Sequence, residues 1–191
     1  KEGVMAKKLL TTLLVVFLSA AFAHAIEVAK VTIPDSIFAG EENLVLNGAG
    51  VRSKFGLKLY VGSLFLPQKS SDAQAIITAD EPMAIRLNII SSMITSEKME
   101  DATREGFENA TGGNTDPIRE YIESFIAVFR EPIEEGDSFD LVYLPAKGVE
   151  VYKNGNPVSV VGDLRFKQAL FGIWLGDEPA QKSLKEGMLG L

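Results

Sequence analysis

The sequence contains no cysteine and only one histidine, His24, among its 191 residues. The absence of cysteine excludes disulfide bonds, thiolate nucleophiles, Cys-ligated zinc sites and iron–sulfur clusters. Positive charge is also scarce, with 19 Lys and Arg against 26 Asp and Glu and a net charge of −7. Because nucleic-acid-binding proteins carry a basic face, this class is disfavoured. The acidic balance also disfavours an anionic membrane as the main partner.

The first 25 residues have the pattern of a secretory signal peptide. Lys7 and Lys8 precede an apolar run over residues 9–23, and the small-x-small motif Ala23-His24-Ala25 comes directly before the predicted cleavage site, which follows Ala25. The run is shorter than the roughly 20 residues needed to cross a bilayer. We therefore predict a signal peptide over residues 1–25, in which residues 1–4 lie upstream of the first methionine. Cleavage would release a periplasmic or secreted protein, and an uncleaved anchor helix is the alternative.

The predicted mature chain, residues 26–191, contains neither cysteine nor histidine. This excludes a Ser-His-Asp triad, a Cys-His pair and histidine-ligated metal sites. We therefore predict no cofactor and no metal site, and no stable membrane span after cleavage. The length is sufficient for a hydrophobic core without disulfide bonds.

Hydrophobic periodicity predicts one α+β domain over residues 26–191. Alternating apolar residues predict strands at 27–33, 44–46, 57–66, 83–89 and 139–144, followed by a hairpin of 149–153 and 158–161 around Asn154-Gly155. Apolar spacings of three and four predict helices at 71–77, 96–110, 116–131, 163–176 and 181–189. Because strands follow one another through direct hairpins and no βαβ alternation occurs, we predict a largely antiparallel sheet.

A glycine-containing segment precedes the first candidate site residue. We interpret Asn47-Gly48-Ala49-Gly50 as a bend between strands that lets another part of the backbone approach closely. Its spacing matches neither GxGxxG nor the P-loop, so nucleotide binding is disfavoured. Arg52 follows this predicted bend, and its guanidinium can bind a carboxylate through two parallel hydrogen bonds. The ordinary alternative is a solvated surface charge.

Tyr60 is the second candidate site residue. The strand that contains it has one clearly apolar face, which includes Leu59 and Val61, and Tyr60 lies on the other face. A tyrosine there can bury its ring and direct its hydroxyl into a cavity, although an ordinary half-buried sheet tyrosine fits equally. Arg86 and Asn88 share a face of the next strong strand, which we interpret as solvent-exposed and polar.

Four stretches carry a resemblance to a known family: GVRSKFGLKLYVGSLFL at 50–66, TSEKM at 95–99, YLP at 143–145 and FKQALFGIWLGDEP at 166–179. They resemble the chalcone isomerase family, in particular its bacterial, exported chalcone isomerase-like branch. The resemblance covers roughly residues 44–189. It implies an open-faced β-sandwich, in which helices are layered against a large antiparallel sheet, with a ligand cleft between sheet and helices.

The resemblance also implies which residues bind a ligand. The family contains plant isomerases that close a flavanone ring and non-catalytic fatty-acid binders, and in the binders an arginine matching Arg52 and a tyrosine matching Tyr60 hold the carboxylate. The isomerases place a tyrosine and an asparagine where this chain has Thr95 and Ala102. Alanine offers no hydrogen bond and threonine cannot replace a phenol, so no catalytic residue is predicted. Arg52, Tyr60 and Thr95 are the predicted ligand-binding residues.

Three functions follow from these residues. The first, which we favour, is an exported binding protein for a small amphipathic carboxylate, such as a fatty acid, without catalysis. The second is an intramolecular lyase or isomerase in which Arg52 lowers the pKa of Tyr60, so that the phenol acts as acid and base. The third is an envelope structural protein with a vestigial cleft. The first predicts an open apolar cavity beside Arg52, and the third predicts that side chains fill it.

Overall fold

The computed structural model describes residues 25–191, so nearly all of the predicted signal peptide lies outside the described part. The strands are β1 Ile26–Val28, β2 Val31–Ile33, β3 Ser36–Ala39, β4 Glu42–Lys54, β5 Leu57–Leu66, β6 Met83–Ile89, β7 Ser138–Leu144, β8 Gly148–Lys153 and β9 Asn156–Val161. The α-helices are α1 Ala73–Thr78, α2 Ser96–Ala110, α3 Arg119–Ile126, α4 Leu164–Leu175 and α5 Lys182–Met188. Within residues 25–191, no helix has the length and apolar character needed to cross a membrane.

A seven-stranded antiparallel sheet is the centre of the fold. Its strand order is β3-β4-β5-β6-β7-β8-β9, which is also the order along the chain. Helix α1 lies in the connection from β5 to β6, and α2 and α3 lie in the connection from β6 to β7. The sheet is thus a meander with helical insertions packed against it, which confirms the predicted α+β fold with a large antiparallel sheet.

Both faces of the central strands are buried. The helix-facing core includes Phe107, Phe125 and Phe166, whose ring centroids lie 5.5–6.2 Å apart. A smaller cluster on the opposite face is partly covered by the hairpin of β1 and β2. In β5, Leu64 belongs to the first cluster and Phe65 to the second, and both are 0% exposed. The prediction that this strand has a single apolar face was therefore wrong.

The predicted helix starts are largely confirmed. Thr95 and Asp163 accept hydrogen bonds from backbone N–H groups three residues later and so cap α2 and α4. Asp72 caps α1 in the same way. The predicted helix at 116–131 is divided, because 3₁₀ turns at Asp116–Ile118 and Ala127–Arg130 flank α3.

The N-terminal segment differs from its prediction. Residues 27–33 do not form one strand, because Ala29 and Lys30 adopt φ angles of 50° and 69° and close a hairpin between β1 and β2. Strand β3 was not predicted. Nothing in the sequence marks this turn, since neither Ala nor Lys is typical of left-handed backbone.

The polar face assigned to Arg86 and Asn88 is not simply solvated. The Arg86 guanidinium donates two hydrogen bonds, of 2.5 and 3.0 Å, to the carboxylate of Asp140 on the neighbouring strand. The Asp140 side chain is only 13% exposed. The Oδ1 atom of Asn88 is buried without a hydrogen-bond partner in the described chain. This face therefore holds a partly buried ion pair, and the prediction of a solvent-exposed face was wrong.

The predicted bend at residues 47–50 is also wrong, although the close backbone approach is confirmed. These residues lie inside the 13-residue strand β4, where a register shift marks a bulge at Asn47. A Cβ atom at Gly48 would lie 2.3 Å from the carbonyl oxygen of Gly187 in α5, and one at Gly50 would lie 2.9 Å from that of Leu184. The glycines thus let α5 pack directly against β4.

Candidate functional site

The hairpin of β4 and β5 brings Arg52 and Tyr60 together. The two residues are direct partners in the antiparallel register, so their Cβ atoms are expected about 4.5–5.5 Å apart on one face of the sheet. Tyr60 belongs to the helix-facing core, and Arg52 therefore lies at the border of that core. Eight positions of sequence separate two side chains that the fold makes neighbours.

Tyr60 is nearly enclosed and keeps a free hydrogen-bond donor. Its side chain is 9% exposed, and its hydroxyl accepts a hydrogen bond of 3.0 Å from Nε1 of Trp174 on α4. A phenol can both accept and donate. Within residues 25–191, no hydrogen bond uses the Tyr60 proton, so this proton remains for a further acceptor.

Burial raises the pKa of Tyr60, and this effect outweighs the opposing contributions of the Trp174 hydrogen bond and the Arg52 charge. The hydroxyl is therefore protonated throughout the physiological range. The charge of Arg52 does lower the pKa of Tyr60, as the acid–base hypothesis requires, but burial has the larger effect and the net shift is upward. The pair is suited to donate hydrogen bonds to an anion.

Arg52 is half-buried and has no carboxylate partner among residues 25–191. Its Nη1 donates hydrogen bonds of 2.8 Å to the Ser53 carbonyl and 3.0 Å to Oε1 of Gln181. Among the described residues, no Asp or Glu oxygen lies within 4.0 Å of its guanidinium. The Nε and Nη2 groups thus keep three N–H donors without an acceptor in this part of the chain.

Gln181 connects this pair to the last helix. It is the residue before α5, and its Oε1 also accepts a 2.8 Å hydrogen bond from the backbone N–H of Ser53. Its Nε2 donates to Oγ of Ser183 at 2.6 Å. The neutral amide oxygen therefore occupies a position on Arg52 that suits a carboxylate oxygen. Sequence analysis missed Gln181, because only the fold brings it to Arg52.

The third predicted ligand-binding residue, Thr95, serves as a helix cap in the described structure. Thr95 is exposed, and its hydroxyl oxygen accepts a 3.3 Å hydrogen bond from the Lys98 N–H as the cap of α2. Ala102 is exposed on the same helix. In the part of the chain that the structure describes, no hydrogen bond links Thr95 to Arg52 or Tyr60.

The space beside Tyr60 is occupied by side chains. Trp174 covers the hydroxyl and is 6% exposed. Two surface grooves of about 480 and 320 Å³ lie elsewhere, around the C-terminal ends of α2 and α4, and neither is lined by Arg52 or Tyr60. Neither groove is the open apolar cavity beside Arg52 that the binding hypothesis predicts, and the filled space is what the structural hypothesis predicts. A ligand tail at this site would therefore require Trp174 or α5 to move.

A second buried polar cluster surrounds Lys167 on α4, and the sequence analysis did not identify it. Lys167 is 0% exposed, and its Nζ donates hydrogen bonds of 2.8, 3.0 and 2.8 Å to the carbonyls of Ile76, Ile77 and Ala79 at the end of α1. Burial lowers the pKa of Lys167 to about 8. Because all three N–H donors of the ammonium are used, this cluster stabilises the fold and leaves no donor for a ligand.

Comparison with known proteins agrees with this architecture. The family model described as chalcone isomerase-like matches residues 25–190. Among solved structures, the chain is similar to a fatty-acid binding protein of Arabidopsis thaliana, with a TM-score of 0.68 and 20% identity over 87% of this chain and 96% of that chain. At this identity the similarity concerns the fold. No curated protein sequence matches the chain. Because the family model covers nearly the whole described chain, the protein belongs to the chalcone isomerase-like family.

Proposed function

We propose that the protein is an exported, non-catalytic binding protein for a small amphipathic carboxylate of the fatty-acid class. The observation that carries the proposal is the cross-strand pair of Arg52 and Tyr60, which holds unused donors and has no acidic partner in the described chain. The similarity in fold to a protein named for fatty-acid binding supports the same ligand class.

The carboxylate binds by replacing Gln181 at Arg52. The amide oxygen of Gln181 lies 3.0 Å from Nη1, and a charged oxygen forms a stronger hydrogen bond at the same place than a neutral one. The second carboxylate oxygen accepts the unused proton of Tyr60. Charge-assisted hydrogen bonds contribute about 1.5–3 kcal/mol each.

The alkyl tail lies in the helix-facing core. Ile89, the neighbour of Tyr60 on β6, and Leu64 provide an apolar surface on that face of the sheet. Movement of Trp174 away from the Tyr60 hydroxyl opens this space. Burial of about ten methylene groups at roughly 0.8 kcal/mol each contributes roughly 8 kcal/mol before the costs of binding. This is sufficient for a stable complex.

The chemistry of the site favours binding over ring closure. Chalcone cyclisation needs donors that stabilise the developing oxyanion. Ala102 has no polar group, and the Thr95 hydroxyl caps α2. We therefore expect no measurable cyclisation of chalcone, and a rate above background that is lost in Arg52→Ala would overturn this part of the proposal.

Export is the second part of the proposal. It is supported by the basic and apolar pattern of residues 7–23, and the family match starts at residue 25, where that pattern ends. We expect the protein isolated from the cell envelope or medium to begin at Ile26. N-terminal sequencing that finds residues 9–23 intact in exported protein would contradict cleavage.

Calorimetric titration of delipidated protein tests the binding proposal. Palmitate is expected to bind at least tenfold more tightly than its methyl ester, which keeps the tail and lacks the charge. The Arg52→Ala variant should bind the ester as the unmutated protein does. Native mass spectrometry of protein from its own host should show a bound lipid mass. If no lipid is retained and palmitate does not bind, the filled, structural cleft is the better explanation.

A further inference from the structure

The tip of the β4–β5 hairpin exposes two apolar side chains to solvent. Phe55 is 92% exposed and Leu57 is 46% exposed, on either side of Gly56. Lys54 and Lys58 flank them, and Nζ of Lys54 lies 5.7 Å from the centre of the Phe55 ring. The tip thus places two apolar side chains between two cations.

Turn chemistry does not explain the phenylalanine. Phe55 and Gly56 have φ angles of 53° and 77°, and the turn of the β8–β9 hairpin has φ angles of 52° and 76° at Asn154 and Gly155. Asparagine tolerates left-handed backbone, whereas a bulky aromatic residue rarely adopts it. Phe55 belongs to neither core cluster of the described residues and does not suit its turn. A contact with another molecule is therefore the better explanation for it.

The tip is basic although the protein as a whole is acidic. Between Glu42 and Asp72 the sequence contains four Lys or Arg residues and no Asp or Glu, in a chain of net charge −7. Neither Lys54 nor Lys58 forms an ion pair with another described residue. Their charges therefore attract an anionic surface locally, while the rest of the protein does not.

The tip also extends beyond its neighbours in the sheet. Pairing of β5 with β6 begins at Tyr60 and Ile89, so in the described structure Leu57 and Lys58 have no partner on β6. The loop after β6 remains at the base of the hairpin, where the Ile90 N–H donates to the Leu59 carbonyl. The tip can therefore contact a flat surface before the rest of the sheet does.

We propose that residues 54–58 dock the protein reversibly on an anionic lipid bilayer. Phe55 and Leu57 enter the interfacial region, and Lys54 and Lys58 bind lipid phosphates, as in other short amphipathic anchors. The proposal does not depend on fatty-acid binding. Arg52 and Tyr60 lie at the base of the same hairpin, so docking would bring the candidate site to the membrane surface.

Vesicle co-sedimentation without added fatty acid tests this proposal, with protein that begins at Ile26 and contains every element described above. Vesicles of phosphatidylcholine in which roughly a third of the lipid is phosphatidylglycerol should bind the protein, and pure phosphatidylcholine should bind it much less. Phe55→Asn should weaken binding at least tenfold while thermal stability is kept or raised, because Asn-Gly suits this turn. Lys54→Gln and Lys58→Gln should each weaken binding about fivefold.

Phe38→Asn is the matched control, because Phe38 is 74% exposed and pairs with Asn43 near the opposite end of β4. It should leave vesicle binding unchanged. The proposal is overturned if Phe55→Asn binds vesicles as the unmutated protein does, or if anionic lipid has no effect. Self-association in sedimentation velocity that is lost in Phe55→Asn, without vesicle binding, would assign the tip to a second copy of the chain.

Discussion

Lys167 and Arg52 are two cationic side chains on the helix-facing side of the sheet, and their hydrogen bonding differs. All three donors of the Lys167 ammonium are bound to carbonyls at the end of α1, and the residue is fully buried. Arg52 is half-buried and uses one nitrogen, which binds a neighbouring carbonyl and the amide of Gln181.

This difference indicates that Lys167 stabilises the fold and that Arg52 is available to bind a ligand. The last carbonyls of a helix have no hydrogen-bond partner within the helix, and Lys167 donates to those of α1. Removal of Lys167 should therefore lower the stability of the folded state. The unused donors of Arg52 and the unused proton of Tyr60 contribute little to the folded state and are available to a ligand. We therefore expect substitutions at Lys167 to change stability and substitutions at Arg52 and Tyr60 to change affinity.

The largest expected effect is on stability at Lys167. Lys167→Met leaves three carbonyls without a hydrogen-bond partner, and each such loss costs about 1–3 kcal/mol, partly offset by the removed burial of a charge. We expect the free energy of unfolding in urea to fall by about 3 kcal/mol. Lys182→Met, at a lysine whose side chain is 87% exposed, is the control and should change it by less than about 0.5 kcal/mol. If Lys167→Met lowered the free energy of unfolding by less than about 1 kcal/mol, the structural role of Lys167 would be contradicted.

The next effect is on affinity at Arg52. Arg52→Ala should weaken fatty-acid binding about tenfold to a hundredfold, since a charge-assisted hydrogen bond contributes about 1.5–3 kcal/mol. Arg52→Lys should restore only part of the affinity, because an ammonium lacks the fork geometry of a guanidinium. Calorimetry gives the affinities, and urea unfolding should show little change in stability. Equal affinity of all three proteins would contradict the anchor role of Arg52.

Local signals predicted much of this fold. The apolar spacing of the helices at 96–110 and 163–176 and the Asn154-Gly155 turn are patterns between residues close in sequence, so the local sequence is sufficient to predict them. The segment 47–50 was misinterpreted, because glycine is typical of turns and here serves the packing of a helix more than 130 residues later. The hairpin turn at Ala29-Lys30 carries no local signal at all.

The candidate site was predicted only in part, and mainly through the family resemblance. Arg52 and Tyr60 were named from matching positions, but their direct pairing depends on a register shift at residues 52 and 53 of β4. Gln181 contacts Arg52 across 129 positions of sequence, which no periodicity can reveal. The prediction of Thr95 as a ligand-binding residue is untested, although its hydroxyl serves as a helix cap.

A smaller effect is expected at Tyr60. Tyr60→Phe removes one neutral donor to the carboxylate, which should cost about 0.5–1.5 kcal/mol of binding free energy, or roughly twofold to tenfold in affinity. It also removes the acceptor of the Trp174 N–H, so a modest loss of stability should accompany it. Tyr121→Phe, at a partly exposed tyrosine of α3, is the control and should leave affinity unchanged. An unchanged affinity in Tyr60→Phe would restrict the anchor to Arg52.

The smallest expected effect is that of pH on binding. Burial raises the pKa of Tyr60 above its ordinary value of 10.0, so the hydroxyl keeps its proton as the pH rises from 6 to about 10. A fatty-acid carboxyl group ionises near pH 4.5, as Glu does. Affinity measured by calorimetry should therefore be flat between pH 6 and about 10 and should fall only below about pH 5, where the ligand loses its charge. If the effect of Arg52 instead outweighed that of burial, so that the pKa of Tyr60 were lowered overall, affinity would fall between pH 7 and 9 in the unmutated protein and stay constant in Tyr60→Phe. That result would contradict a donor role for the Tyr60 phenol and would support the hypothesis that Tyr60 acts as an acid and base.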